Sequence, residues 1–205
     1  MLYREPHIKS YSTDVFIEIF GPCQNQYAAT FYTTTGNGSV NVDGYVRNDG
    51  ITVNTTISST GDTNSNVGER GLVGFDISSI QGKTVVSATL RIYQYIVTGS
   101  PYTDLGTIVV DHINFGSSMD VGDYSLAALA SNIGTISSNA TYEWKTLDVT
   151  SYVQADLVAG RTSSQYRIRF TTETDLGGDT DYSGFESAEN NGSTGNKPEL
   201  VVTYN

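Results

Sequence analysis

Apolar and polar residues alternate with a period of two through most of this 205-residue chain. That period marks half-buried strands, because successive side chains on a strand point to opposite faces. Ile51, Val53, Thr55 and Ile57 share one face, with Thr52, Asn54 and Thr56 on the other. Val73, Phe75 and Ile77 form the next apolar face. Val86, Ala88, Leu90, Ile92 and Ile96 make a long one, opposite Thr89, Arg91, Tyr93 and Tyr95. Further strands are predicted at Ile108–Ile113, from Trp144 to Val149, and where Tyr166, Ile168 and Phe170 alternate with Arg167 and Arg169. Pro198 opens a last strand carrying Leu200, Val202 and Tyr204; a proline is tolerated at a strand's first residue, where no ladder donor is lost. Near the N-terminus, Val15, Ile17 and Ile19 alternate with Phe16, Glu18 and Phe20, and Tyr27–Tyr32 is a second candidate strand.

Two segments depart from this period. Asp123 precedes a run from Tyr124 to Ala130 that predicts a short capped helix. Thr150 is placed to cap a second, in which Val149, Val153 and Leu157 fall four apart before a glycine stop at Gly160. Polar loops are predicted at 61–68 and 175–184, and the long connection from Phe115 to Glu143 is expected to wrap an edge. Many short strands, polar loops and one or two short helices predict an all-β fold, an antiparallel β-sandwich or jelly roll. The sandwich is expected over residues 41–205, preceded by an N-terminal β-arm over residues 1–40.

Composition narrows the function. Lys and Arg number 11 against 22 Asp and Glu, a net charge of −11. That argues against binding nucleic acid through phosphates and against docking on anionic membranes. No apolar run approaches the roughly 18 residues of a membrane helix. One cysteine and two histidines rule out a disulfide framework and a Cys/His zinc site, and Cys23 reads as a small buried hydrophobe. Charged residues are only 16%, so the polar surface is Thr, Asn, Ser, Gly and Tyr, which suits the outside of a cell or virus particle. The first 25 residues lack the apolar core of a secretory signal, and bulky Leu2 after Met1 favours a translation start.

From Val42 to Tyr204 the order of motifs resembles the DNRLRE-type extracellular β-sandwich family, which overlaps with certain carbohydrate-binding modules. The residues carrying the resemblance are Asp43-Gly44-Tyr45-Val46, Asn66-Val67-Gly68, the strand from Leu72 to Ser78, the strand from Ser87 to Tyr93, Leu147-Asp148-Val149-Thr150 with Val153, the segment from Phe185 to Glu189, and the final strand from Pro198 to Tyr204. The resemblance implies a non-catalytic module in an extracellular, cell-wall or virion setting. Residues 1–40 lie outside its pattern.

Three groups of residues are candidates for function. Asp175, Asp179, Asp181 and Ser183 bring oxygens to the spacing of the first half of a calcium loop, with Glu186 or Glu189 able to contribute; the bland alternative is a solvated acidic turn. The position where a calcium loop carries its bidentate glutamate holds Asn190. A structural Ca²⁺ held by Asp175, Asp179, Asp181, Ser183 and Glu189 is the expectation. Arg91, Tyr93 and Tyr95 give one strand face a polar-aromatic surface, either a sugar-stacking platform or an ordinary half-exposed sheet face. Ile8, Val15, Phe16, Ile17, Ile19 and Phe20 form an arm able to add a strand to a neighbouring sheet. No nucleophile elbow or paired-carboxylate signature assigns a catalytic residue, and Glu186 with Glu189 has no mark of a glycosidase pair. The sequons at Asn37, Asn54, Asn139 and Asn191 are compatible with surface exposure.

The expected function is a non-enzymatic structural or adhesive surface protein, extracellular or on a virion, that assembles through the arm as a homo-oligomer, filament subunit or virion component. The alternative is a carbohydrate-binding module that targets a polysaccharide. Nucleic-acid partners and membrane insertion are not expected.

Overall fold

In the computed structural model, residues 25–51 and 53–205 are described. Among them the strands are β1 Tyr27–Tyr32, β2 Asp43–Arg47, β3 Val53–Asn54, β4 Ser58–Asp62, β5 Gly68–Asp76, β6 Val85–Thr98, β7 Ile108–Ile113, β8 Ala130–Ser137, β9 Trp144–Asp148, β10 Ser163–Phe170, β11 Asp181–Phe185 and β12 Glu199–Tyr204. The helices are a single turn, α1 Pro101–Asp104, and α2 Thr150–Val158. The strands run in the order β1-β12-β6-β11-β4-β5-β10-β7-β8, with β9 also on β6 and β2 on β5. The ladders are antiparallel. The expected antiparallel β-sandwich is what the chain forms.

β6 is the corner of the sandwich. Its first half, through Tyr93, pairs with β12 on one side and β9 on the other. Its second half, from Gln94 to Thr98, pairs with β11. One 14-residue strand thus belongs to both layers. Between them lies the main core, where Phe75, Leu90, Ile92, Ile108, Tyr166, Ile168, Phe170, Phe185 and Leu200 are almost fully buried. Burying each such side chain stabilises the fold by about 1.5–3 kcal/mol relative to leaving it exposed.

The back of the second layer carries its own small core of Val42, Val46, Leu72, Ile113, Phe115, Met119 and Tyr124. Beside it Asp111 accepts from both Arg167 and Arg169, and the remaining Arg167 nitrogen, Nη1, donates to backbone carbonyls including that of Leu126. Leu72 and Val73 are therefore both buried although they point to opposite faces, so β5 does not read as a one-sided strand.

Several local expectations need correction. The predicted strand at 51–57 shrinks to β3, and the buried strand is its polar successor β4. Asp181 to Gly184 belong to β11 rather than to the acidic loop. The helix expected after Asp123 is instead a 3-10 turn at Val121–Tyr124, capped by Asp120; Asp123 closes the capping box from its third position. Thr150 is the first residue of α2, and Asp148 accepts from its amide and hydroxyl, so the acceptor at this helix start comes from two residues earlier. Val153 and Leu157 are buried as expected, and Gly160 follows the helix with φ 70°. On β6, Val85 is buried and Val86 is exposed, because the register with β12 shifts at Thr203/Tyr204. The long connection after Phe115 contains β8, which extends the sheet edge beyond β7. Tyr27–Tyr32 is a strand, paired with β12.

Candidate functional site

The outer face of the first layer is built by register. Tyr93 of β6 lies opposite Trp144 of β9, and Arg91 lies between Thr146 of β9 and Glu199 of β12. Tyr32 of β1 is opposite Glu199. Each of these positions alternates with an inward residue: Ile92 and Leu90 on β6, Leu200 on β12, Phe31 on β1. The core therefore holds the strands flat side inward and presents the polar and aromatic side chains outward.

Those side chains lock one another. The rings of Tyr93 and Trp144 meet edge to face at 5.5 Å. The Arg91 guanidinium lies over the Trp144 ring, 4.4 Å from its centroid. Its Nη1 donates to Glu199 at 2.6 Å. Such packing holds the rings in place and matches the arginine's charge. The arrangement offers an aromatic surface for the C–H face of a sugar, with Arg91, Glu199 and Thr146 as hydrogen-bonding groups around it.

Further along β6, Tyr95 packs against Gly192, where any side chain would meet its ring. The loop beneath is shaped by Glu186, fully buried, which accepts from the amides of Gly192 and Thr194 and from the Thr194 hydroxyl. Burial, with the nearby charges of Glu186 and Tyr182, raises the Tyr95 phenol to about 12, so it stays protonated and able to donate. Tyr182 in turn lines a cleft of about 230 Å³ with Tyr45, Ile57, Ser59, Asp62 and Glu69. Aromatic groups thus succeed one another from β9 over β6 towards β11 and β2.

Of the residues singled out from sequence, Arg91 and Tyr93 come together around Trp144, while Tyr95 stands further along the strand beside Gly192. In the acidic segment, Asp175 and Asp181 are brought together, joined by Asp104 from α1. Asp179 is exposed nearby. Ser183 is fully buried deeper in β11. Glu189 lies elsewhere, accepting from the Gly36 amide at 2.8 Å beside Asp43. Ile8, Val15, Phe16, Ile17, Ile19 and Phe20 lie outside the described residues. Trp144, Glu199 and Asp104 are functional candidates that sequence reading missed. Trp144 had a signal, as the sole tryptophan on a predicted strand, but its partner on β6 depends on register.

A family model, carbohydrate-binding module family 96, matches residues 24–204. The chain belongs to that family. The match covers the β-sandwich described above and supports the carbohydrate-binding-module side of the resemblance read from the sequence. No curated protein matches the chain significantly. No helix among the described residues is long and apolar enough to cross a membrane. Family 96 membership turns attention to surfaces that can hold a glycan, and the Trp144–Tyr93–Arg91 face is one with half-exposed aromatic groups held in place by their neighbours.

Proposed function

We propose that this protein is an extracellular, non-catalytic module that binds a polysaccharide on the outer face of β9, β6 and β12. Trp144 and Tyr93 supply the stacking surface, and Arg91, Glu199 and Thr146 hydrogen-bond sugar hydroxyls. The observation that carries this reading is the ordered Trp144–Tyr93–Arg91 cluster on a sheet face of a family 96 module. The succession towards Tyr95 and Tyr182 suits an extended chain rather than a single sugar. A neutral glycan fits best: Arg91 is paired with Glu199, and a net charge of −11 opposes a polyanion. Family membership favours this reading over subunit assembly through the N-terminal arm, whose candidate assembly residues, Ile8 to Phe20, lie outside the described residues.

Affinity electrophoresis through gels carrying neutral or acidic polysaccharides tests it. A neutral polysaccharide should retard the wild-type protein. Trp144→Ala should lose about tenfold or more in affinity, roughly 1.4 kcal/mol or above, as at a central aromatic contact. Its melting temperature serves as the control for folding. Equal retardation of the folded variant would overturn the assignment.

A further inference from the structure

At one end of the sandwich, carboxylate oxygens of Asp104, Asp175 and Asp181 lie within 4.8 Å of one another. They come from three separate segments: the end of α1, the loop before β11, and the first residue of β11. Two ligands on opposite sides of a calcium ion are about 4.8 Å apart, twice a bond length of roughly 2.4 Å, so one ion can span all three. Acidic side chains can crowd together without an ion, and the decisive group is a fourth. Asp62, the last residue of β4, is directly opposite Asp181 in the ladder. It is 1% exposed, and neither of its carboxylate oxygens has a hydrogen-bond partner. The nearest donors are the Thr174 hydroxyl and the Asp175 backbone, and Asp175 and Asp181 add negative charge beside it.

A buried carboxylate without donors is costly, and like charges directly opposite on a ladder destabilise it. No arginine or lysine pairs with Asp62, Asp104, Asp175 or Asp181 among the ion pairs of the described residues. All the ligands offered are oxygens, the choice of a hard cation rather than a transition metal.

We infer that Asp104, Asp175 and Asp181 bind one calcium ion and that Asp62, opposite Asp181, turns towards it as a fourth ligand, which ties α1, the 171–180 loop and the ends of β4 and β11 together. The site differs from the one expected from sequence spacing: it keeps Asp175 and Asp181, adds Asp62 and Asp104, and leaves out Ser183 and Glu189. It shares no residue with the Trp144–Tyr93–Arg91 cluster, although Asp62 also borders the Tyr182 cleft, and it does not rest on the glycan-binding reading.

The test uses the whole chain, stripped with a chelator and then titrated with calcium chloride by calorimetry and thermal melting. One equivalent should bind, and at about a hundredfold excess over Kd the melting temperature should rise by roughly 5–10 °C. Asp104→Asn, at an exposed position, should fold and weaken binding at least tenfold. Asp62→Asn should melt higher than wild type in chelator and lose the calcium-dependent rise. An unchanged wild-type melting temperature with no heat of binding would overturn the inference. So would a full calcium response in both variants, which would place the ion elsewhere. An equal rise with magnesium alone would overturn the choice of calcium.

Discussion

Asp43, on β2, is a carboxylate at odds with its place. It is 1% exposed, and one oxygen accepts from the Ala188 amide at 3.0 Å while the other lacks a partner. Burial is the main influence on its pKa and outweighs the Ala188 amide and the neighbouring Thr33 hydroxyl; Glu189 adds to it, and the result is about 7. The free carboxyl titrates near 3.8, so between these values the folded chain holds a proton that the unfolded chain has lost. The resulting stabilisation is complete below about pH 4 and disappears as pH rises through 7, with a slope of at most about 1.4 kcal/mol per pH unit. Wild-type stability measured by denaturant titration should therefore fall from pH 5 to pH 7.5. Asp43→Asn, which keeps the acceptor for Ala188, should flatten that slope; an identical slope in the variant would contradict the account. Nothing in the sequence marks Asp43 as buried, since its burial depends on the loop of Ala188, 145 residues later.

Elements were legible where one face is apolar and the other is not. β6, β10 and β12 alternate because one side meets the core, and their faces read correctly apart from the register shifts on β6. β4 and β8 were not legible. Ser58, Ser59, Thr60, Gly61 and Asp62 are all buried yet carry no hydrophobic signal. They are small because neighbouring backbones come close. Gly71 of β5 has Ser58 Oγ and the Ser59 carbonyl within 3.1 Å of where a Cβ would stand. Gly61, with φ 141°, would place a Cβ 2.0 Å from the Asp181 carbonyl. A side chain there must push β4 from β11. Gly61→Ala should thus cost about 2–4 kcal/mol by chemical denaturation, whereas a loss within about 0.5 kcal/mol would show that these strands are not so tightly apposed. The same logic separates what was readable in the binding face. Alternation put Arg91 and Tyr93 on one side of β6. Only cross-strand register, which no local pattern encodes, brings Trp144 and Glu199 to them.

At the scale of the molecule, two layers share the β6 corner and bury their apolar faces between them. The second layer is also covered at the back, by the small core around Leu72 and Phe115. That leaves the first layer's outer face, from β9 to β1, open to solvent with aromatic and paired charged groups. The sandwich supplies rigidity, so the face is formed before a ligand arrives and little ordering entropy opposes binding. The acidic end at Asp104, Asp175 and Asp181 is a separate device of the same frame. Trp144 is the chain's sole tryptophan, which makes the proposed binding face its own reporter. Titrating the protein with the polysaccharide that retards it, while recording intrinsic tryptophan emission, tests the central claim directly. A saturable change in emission, weakened at least tenfold in midpoint by Tyr93→Ala, is the expected result. Retardation by the polysaccharide with tryptophan emission unmoved at saturation would place the glycan elsewhere and contradict the account.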